Sequence, residues 1–301
     1  MLVMAVTNCQ YALRDSFTIA SFNCRGYNEF KVPFIRQLSS QCSVLCLQEH
    51  WLSDTQIANL SSISDDFLCT GVCGFDPSAI LTGRPYGGCA VLWRSCIDAS
   101  VDIIDTHSRR LCSVKFKTVD WELLVINVYL PHEGDDAHTE DFFRQLSCIE
   151  LIISQHPHAH IIVCGDFNVD FARNWRHTNV LNDFCDRLFL VPTVRHCANA
   201  IDYSFISSMN HFHTLDHFIV SGTLFDVAVD GTSVLHRGDN LSDHDPVFLQ
   251  LNLNSRFLSL TEHVSSARPA WYKADERDIN SYKTALVNHL ALIAVYQSKP
   301  L

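Results

Sequence analysis

The feature that most constrains the fold is a series of short apolar runs separated by polar turns. Runs such as FTIASFN (17–23), SVLCLQE (43–49) and HIIVCGDFN (160–168) have the length and composition of buried β-strands. Apolar residues at helical spacing fall between them, at 32–41 and 139–155. Continuous and alternating strands with helices between them predict an α/β sandwich, in which two sheets lie face to face and helices cover them.

The remaining elements follow the same pattern. A hairpin is predicted to turn at 118–120, and Thr139 is the predicted cap of the helix that follows it. A short helix is predicted at 55–63 and further strands at 67–74, 87–94, 215–222, 226–231 and 245–253. The sequence therefore predicts three parts, which are an N-terminal extension at 1–15, a main domain at 16–253, and a linker with a helical tail at 254–301.

The composition is that of a globular protein. Of the 301 residues, 47% are hydrophobic, yet the longest apolar stretches, such as LLVINVYL (123–130), have only strand length. The N-terminus lacks the basic and apolar regions of a signal peptide. We therefore expect an intracellular protein that makes no use of a membrane.

The cysteines and histidines lack the spacing of a zinc site. Most of the 13 cysteines stand inside apolar runs, and their odd number argues against a fully paired disulfide framework. The spacings from Cys42 to Cys46 and from Cys69 to Cys73 differ from a CxxC pair, so no structural zinc is predicted. The histidine clusters at 156–160 and 211–217 are predicted to lie in solvated turns, and one acid of the second is considered below.

The net charge of −11 opposes binding to nucleic acid, because phosphate contacts depend on lysine and arginine. From residue 256 onward there are six basic and four acidic side chains, so the acidity belongs to the main domain. Any nucleic-acid function therefore requires positive charge at a particular place on that domain.

Polar side chains at the ends of the apolar runs indicate a candidate site. Taken singly, an Asn or Asp at a strand end is usually a turn former or a helix cap. Glu49 is harder to explain in that way, because it continues a fully apolar strand and a carboxylate there needs a cation or hydrogen-bond donors. Strand ends in an α/β fold lie along one rim. The residues that would meet there are Asn23, Glu49, Tyr129, Asp166, Asn168, Asp243 and His244.

Six sequence blocks, taken in chain order, resemble the signature motifs of the endonuclease/exonuclease/phosphatase superfamily. They are SFN (21–23), LQEHW (47–51), NVYLP (127–131), GDFN (165–168), LDHFIVS (215–221) and SDHDPV (242–247). The segment GRPYGGCAVLWR (83–94) and the LDHF block are most similar to the apurinic/apyrimidinic-type endonuclease domain of LINE-type non-LTR retrotransposons. The resemblance implies a four-layer α/β sandwich with two facing mixed β-sheets, and Mg²⁺-dependent phosphodiester hydrolysis.

The resemblance also implies a metal site. Glu49 would be the principal ligand of Mg²⁺, with Asn23 beside it and Asp243 close by, and Mn²⁺ would be an alternative ion. Oxygen ligands and bound waters suit a hard divalent cation. Attack on an anionic phosphodiester needs such a cation to stabilise the developing charge.

Five further residues receive roles in catalysis from the same resemblance. Asp166 would position or deprotonate the attacking water, while Asn168 and Tyr129 would hold the scissile phosphate. His244 would contact a phosphate oxygen, and Asp216 would orient its ring. A carboxylate behind an imidazole raises its affinity for a proton, so His244 can carry positive charge near neutral pH.

One position departs from the apurinic/apyrimidinic repair enzymes. Their carboxylate two positions after the first asparagine is replaced here by Arg25, which favours the retrotransposon interpretation. Other arginines in predicted loops would form a basic rim around a metal-neutralised centre, although they could instead pair with nearby acids. The arginines expected to bind double-stranded DNA are Arg25, Arg84, Arg173, Arg176 and Arg237, with Arg195 as a further loop arginine.

The sequence therefore predicts a DNA-nicking endonuclease that leaves a 3′-hydroxyl and has access to the nucleus. In such elements the 3′-hydroxyl at the nick primes reverse transcription, and this chain contains no YxDD-type polymerase motif. A reverse transcriptase region of the same element is therefore the expected partner. Two alternatives remain open. One is another phosphodiesterase or phosphatase of the superfamily, acting on inositol phosphates or sphingomyelin, and the other is a catalytically dead DNA-binding remnant.

Overall fold

In the computed structural model, which describes residues 17–75, 86–197 and 201–253, two six-stranded mixed sheets pack face to face. Helices cover their outer sides, so the predicted α/β sandwich is confirmed. The predicted extension at 1–15, the tail at 254–301 and Arg84 lie outside the described residues. Within those residues, no helix is both long and apolar enough to cross a bilayer.

Each sheet contains one pair of parallel strands. The strands of the first sheet are β1 (Phe17–Asn23), β2 (Val44–Gln48), β3 (Phe67–Val72), β4 (Cys89–Arg94), β13 (Val229–Val234) and β14 (Val247–Leu251), in the order β13-β14-β1-β2-β4-β3. The strands of the second are β5 (Ser100–Ile104), β6 (Leu111–Lys117), β7 (Glu122–Tyr129), β8 (His160–Asp166), β9 (Leu190–Pro192) and β12 (Asp216–Ser221), in the order β5-β6-β7-β8-β12-β9. The parallel pairs are β1 with β2 and β7 with β8. A short hairpin, β10 (Phe205–Ile206) and β11 (Phe212–His213), stands apart from both sheets.

The helices differ from the sequence prediction in several places, and the short helix predicted at 55–63 is a 3₁₀ turn. They are α1 (Val32–Ser39), α2 (Asp136–Gln155), α3 (Arg176–Arg187) and α4 (Gly222–Ala228), with 3₁₀ turns at Ile57–Ile63 and Thr193–Arg195. The cap of α2 is Asp135, whose carboxylate accepts a hydrogen bond from the backbone N–H of His138, while the predicted cap Thr139 is buried inside the helix. The strand predicted at 226–231 begins only at Val229, because its first residues complete α4. Arg176, predicted in a loop, begins α3.

Alternation along β8 shows how the core is divided. Ile162 and Cys164 are buried between the two sheets, whereas Ile161 and Val163 are buried under the helices on the outer side. Both faces of the strand are therefore covered, which explains its uninterrupted apolar sequence. Full burial of each such side chain contributes about 1.5 to 3 kcal/mol.

A buried polar link joins the two sheets below one edge of the sandwich. The side-chain amide of Asn127 on β7 donates to the backbone carbonyls of Leu47 and Ala90 in the other sheet, at 2.9 Å each. The side-chain amide of Gln48 donates to Asn127 Oδ1 at 2.6 Å and to the Ser21 hydroxyl at 3.0 Å. Because Gln48 precedes Glu49 in the chain, this link fixes the end of β2 relative to the second sheet.

Candidate active site

The polar ends of strands from both sheets converge at this edge. Asn23 ends β1 and Glu49 follows β2, and these strands run parallel. In the second sheet, Tyr129 and Asp166 are direct neighbours at the ends of β7 and β8, and Asp216 pairs with Asp166 from β12. The Asn23 amide nitrogen donates to Asp166 at 2.9 Å and to Glu49 at 3.3 Å. One side chain therefore connects the two halves of the site.

Asp166 is a buried carboxylate with defined partners on both oxygens. Its Oδ1 accepts the backbone N–H of Asn168 at 2.9 Å, and its Oδ2 accepts from Asn23. Burial raises the pKa of Asp166 to about 7, with Asp216 adding to the rise and His244 opposing it. A carboxylate with a pKa near 7 can take up a proton at neutral pH, as a general base must.

His244 and Asp216 form a buried pair beside Asp166. The Nδ1 atom of His244 lies 2.8 Å from Asp216 Oδ2, and its Nε2 atom lies 3.8 Å from Asp166 Oδ2. Burial lowers the pKa of His244, but Asp216 and Asp166 together raise it to about 10. The ring is therefore protonated at neutral pH, and Nε2 can donate to an anion.

Ser204 and Phe205 complete the surroundings of that pair. The hydroxyl of Ser204 donates to Asp216 Oδ2 at 2.7 Å and accepts the backbone N–H groups of Leu215 and Asp216 at 3.0 Å each. The ring of Phe205 lies against the His244 ring, with centroids 4.8 Å apart. Neither residue belongs to a motif identified in the sequence, because each acts through contacts that the hairpin β10–β11 creates in three dimensions.

Glu49 is held by a local backbone distortion and by Trp51. Both residues have positive φ, at 51° and 59°, and the indole N–H of Trp51 donates to Glu49 Oε2 at 2.9 Å. The Trp51 ring packs against Gly26, where a Cβ would lie 2.4 Å from a ring carbon. A side chain at Gly26 would therefore displace the indole that orients Glu49.

Tyr129 and Asn168 lie next to the two carboxylates. Burial, the neighbouring charge of Glu49 and a hydrogen bond to Glu49 raise the pKa of the Tyr129 hydroxyl, which therefore remains a donor. Asn168 has a φ of 52° and donates from its side chain to the backbone carbonyl of Leu130 at 2.9 Å. A cavity of about 450 Å³ opens beside it, lined by His132, Glu133, Asn168, Trp175, Phe205, His213 and Leu215.

Asp243 lies at the more open side of the site and pairs with Arg25. The guanidinium and the carboxylate are 2.6 Å apart, and the side chains are 48% and 27% exposed respectively. The Arg25 backbone N–H donates to the side-chain oxygen of Asn23, Oδ1, at 3.1 Å. Arg25 therefore neutralises one of the carboxylates predicted to face the metal.

Three further loop arginines have partners within the protein. Arg173 lies 3.8 Å from Asp170, Arg237 forms two hydrogen bonds of 2.8 Å to Asp239, and Arg195 packs over the Phe171 ring and donates to Asn182. The pairing of Arg173 and Arg237 with acids is the alternative left open by the sequence. Exposed pairs of this type contribute only about 0 to 1 kcal/mol, so a phosphate can compete for their guanidinium groups.

Two sets of residues could hold a cation. Ligand atoms of Asp166, Asp216 and His244 lie within 4.8 Å of one another, but a protonated imidazole cannot ligate a metal. The partly exposed carboxylates of Glu49 and Asp243 offer oxygen atoms, which fit a hard divalent ion better. The Asn23 amide directs its nitrogen, not its oxygen, toward Glu49 and Asp166.

The model of the Endonuclease/Exonuclease/phosphatase family matches residues 20–244, about three quarters of the chain. No sequence among the curated proteins matches this chain.

Three solved structures illustrate the shared fold. The AP endonuclease LMAP from Leishmania major is 15% identical, with a TM-score of 0.64 and coverage of 83% of this chain and 92% of that one. The endonuclease domain of TRAS1, a telomere-specific non-LTR retrotransposon, is 14% identical, with a TM-score of 0.59 and coverage of 79% and 99%. The 3′ phosphatase NExo from Neisseria, bound to a product DNA hairpin, is 19% identical, with a TM-score of 0.58 and coverage of 77% and 98%.

Proposed function

Because the chain belongs to the Endonuclease/Exonuclease/phosphatase family, whose members are hydrolases acting on phosphodiester bonds, we propose that it nicks DNA in a Mg²⁺-dependent reaction that leaves a 3′-hydroxyl. The observation that carries the proposal is the buried arrangement in which His244 lies between Asp216 and Asp166. The donor Nε2 of His244 and the proton acceptor Asp166 Oδ2 thus lie next to each other, 3.8 Å apart. Hydrolysis of a phosphodiester requires both, since the attacking water loses a proton while the phosphate gains negative charge.

In this proposal the buried residues handle protons and the phosphate. Asp166 takes the proton from the attacking water, for which its raised pKa of about 7 suits it. His244, kept protonated by Asp216, donates from Nε2 to a phosphate oxygen. Asn168 and the neutral hydroxyl of Tyr129 supply further hydrogen bonds to the phosphate.

Glu49 and Asp243 would hold the divalent ion in this proposal, with Asn23 beside them. Their carboxylates are partly exposed; Trp51 donates to one oxygen of Glu49 at 2.9 Å, and Asn23 donates to the other over a longer distance of 3.3 Å. When bound, the ion would supply positive charge to the scissile phosphate. Mg²⁺ is the proposed ion because the candidate ligands are all oxygen atoms, and Mn²⁺ is the expected substitute.

We propose double-stranded DNA as the substrate and a non-LTR retrotransposon as the source of the domain. The presence of Arg25 in place of an acid supports this proposal over abasic-site repair. Solved structures of similar fold include an endonuclease domain of such an element and an enzyme bound to DNA. In this setting the 3′-hydroxyl at the nick would prime DNA synthesis by a reverse transcriptase region of the same element. The domain would therefore need access to nuclear DNA.

The test is an analysis of the products formed from supercoiled plasmid. The full chain is incubated with plasmid and Mg²⁺, and the open circles are then offered to a DNA polymerase that extends only 3′-hydroxyl ends. The proposal predicts open circles that are extended directly. Open circles that need a phosphatase treatment before extension, or release of phosphate from a phosphomonoester without any nicking, would contradict it.

A further inference from the structure

His236 is held between two carboxylates beside the candidate active site. Its Nδ1 atom lies 2.7 Å from Asp245 Oδ2 and its Nε2 atom lies 2.9 Å from Asp202 Oδ1. The ring of Tyr203 stacks on it, with centroids 4.2 Å apart and an angle of 27° between the planes. Because an ionised carboxylate can only accept, both ring nitrogens must donate, and the imidazole therefore carries a positive charge.

The two carboxylates belong to the two segments that support the His244–Asp216 pair. Asp245 directly follows His244, and Asp202 lies two residues before Ser204, whose hydroxyl donates to Asp216. The Asp245 backbone N–H also donates to the Ser204 carbonyl at 2.7 Å. His236 therefore connects, through one ring, the segment that carries the catalytic imidazole with the segment that holds its carboxylate.

Asn240 adds a second contact between the loop of His236 and the segment of His244. Its side-chain amide donates to the His244 carbonyl at 2.7 Å and to Asp245 Oδ1 at 2.8 Å. Both oxygens of Asp245 are thus used, and its side chain is only 13% exposed. The backbone on the C-terminal side of His244 is therefore fixed from several directions, and His236 supplies the only charged donor to Asp245 among the described residues.

We propose that His236 is a positioning residue, which holds His244 at the distance from Asp216 and Asp166 that the reaction needs. The inference rests on the proposed function of that site. The ring nitrogens of His236 contact Asp245 and Asp202, so His236 acts through the segments of these two residues and not by touching the reacting groups. A small displacement of a catalytic group is enough to matter, because a shift of about 1 Å can lower a rate by about 10²-fold.

The test uses three variants of the full chain. His236→Ala removes both hydrogen bonds, whereas His236→Arg keeps a planar cation with several donors. Asp202→Ala removes one of the two carboxylates from an exposed position, where its side chain is 64% exposed, and it serves if His236→Ala does not fold. His107→Asn is the matched control, since His107 also pairs with a carboxylate, Asp105 at 3.2 Å, but at the edge of the second sheet.

Two measurements separate positioning from general stability. The first is kcat and KM for plasmid nicking in Mg²⁺. The second is the far-downfield proton signal of the His244 Nδ1–H group in the protein with EDTA, identified by its loss in His244→Ala.

We expect His236→Ala to lower kcat about tenfold with KM within about twofold of the wild type, and to shift or broaden the proton signal. His236→Arg and His107→Asn should remain near the wild type, and Asp202→Ala should fall between.

The inference is wrong if His236→Ala, or Asp202→Ala in its place, keeps both the wild-type kcat and an unchanged proton signal. It is also wrong if His236→Arg loses as much activity as His236→Ala while remaining folded. The proton signal needs no activity. A wild type that does not nick would therefore contradict the proposed function, while the signal would still decide whether His236 positions His244.

Discussion

The buried half of the site, formed by Asp166, Asp216 and His244, differs from its exposed half, formed by Glu49, Asp243 and Arg25. In the buried half, no side chain is more than 8% exposed, and most polar atoms bond to protein groups of fixed position. In the exposed half, Asp243 and Arg25 pair in contact with solvent. Asn23 connects the halves by donating to a carboxylate in each.

The difference indicates a division of work. Buried charges are costly to rearrange, so the pair of His244 with Asp216 is suited to holding a hydrogen-bond donor in one fixed geometry. Exposed charges exchange partners at low cost, so the carboxylates of Glu49 and Asp243 are suited to an ion that binds and leaves. Changes in the buried half should therefore alter the rate, and changes in the exposed half should alter ion binding.

The largest effect is expected for Asp166→Asn. The amide keeps the shape of the side chain but cannot take a proton, so the nicking rate should fall about 10² to 10⁴-fold. The free energy of unfolding should fall by about 1 to 3 kcal/mol, because the NH2 group of the amide would face one of the two N–H donors, from Asn168 and Asn23, that the carboxylate now accepts. The control is Asp183→Asn, an exposed acid on α3. A variant that keeps more than about a tenth of the wild-type rate would remove Asp166 from the mechanism.

The second prediction concerns the pH dependence of stability in the presence of EDTA. The pKa of His244 is about 10 in the folded protein against 6.5 ordinarily, so its contribution is complete below pH 6.5 and is lost as the pH rises through 10. The titration of Asp166 affects stability in a lower pH range, between its ordinary pKa of 3.8 and its raised pKa of about 7. Between pH 7 and 10 the free energy of unfolding should fall by up to about 1.4 kcal/mol per pH unit through His244 alone.

Denaturant unfolding of the wild type and of His244→Gln tests that contribution, because buried cysteine thiols affect both proteins equally. The wild type should lose more stability than the variant over this range. Parallel curves for the two proteins would mean that His244 is not held protonated by Asp216 and Asp166.

Ser204→Ala should have a smaller effect on stability. Loss of the hydroxyl removes a donor from the buried Asp216 and an acceptor from two backbone N–H groups, which should lower the free energy of unfolding by about 1 to 3 kcal/mol. Ser147→Ala, an exposed serine on α2, is the control. Equal stability of the two variants, measured by denaturant titration, would show that Ser204 does not support the buried half.

The smallest effect is expected in the exposed half. Arg25→Gln should bind Mn²⁺ about fivefold more tightly in an isothermal titration, because a positive charge next to Asp243 is removed. Arg25→Lys keeps the charge and should bind like the wild type. If Arg25→Gln binds no more tightly than Arg25→Lys, Asp243 does not take part in ion binding.

The sequence predicts the fold and the strand ends well, because both depend on local patterns. The first strand was predicted at its observed limits, and the second to within one residue at each end. Helix α3 was missed because its sequence, RHTNVLNDFCDR, is largely polar and buries only one side. Its apolar face is defined by packing against the second sheet.

The supporting contacts of the site could not be predicted from local patterns. Arg25 and Asp243 are 218 positions apart, and the link from Gln48 to Asn127 crosses between sheets. Ser204 and His236 stand in no motif and matter only because the fold brings them to Asp216 and Asp245. The sequence thus predicts Asp216 as a support for His244, but it does not indicate Ser204 or His236, whose contacts form only in the fold.

The most direct test of the account is the rate at which supercoiled plasmid becomes open circles. It should be measured with Mg²⁺ and with EDTA for the wild type, Glu49→Ala and His244→Ala. The account predicts Mg²⁺-dependent nicking by the wild type, none in EDTA, and a large loss in both variants, since each removes one half of the site. A wild type that does not nick, or either variant nicking as fast as the wild type, would contradict it.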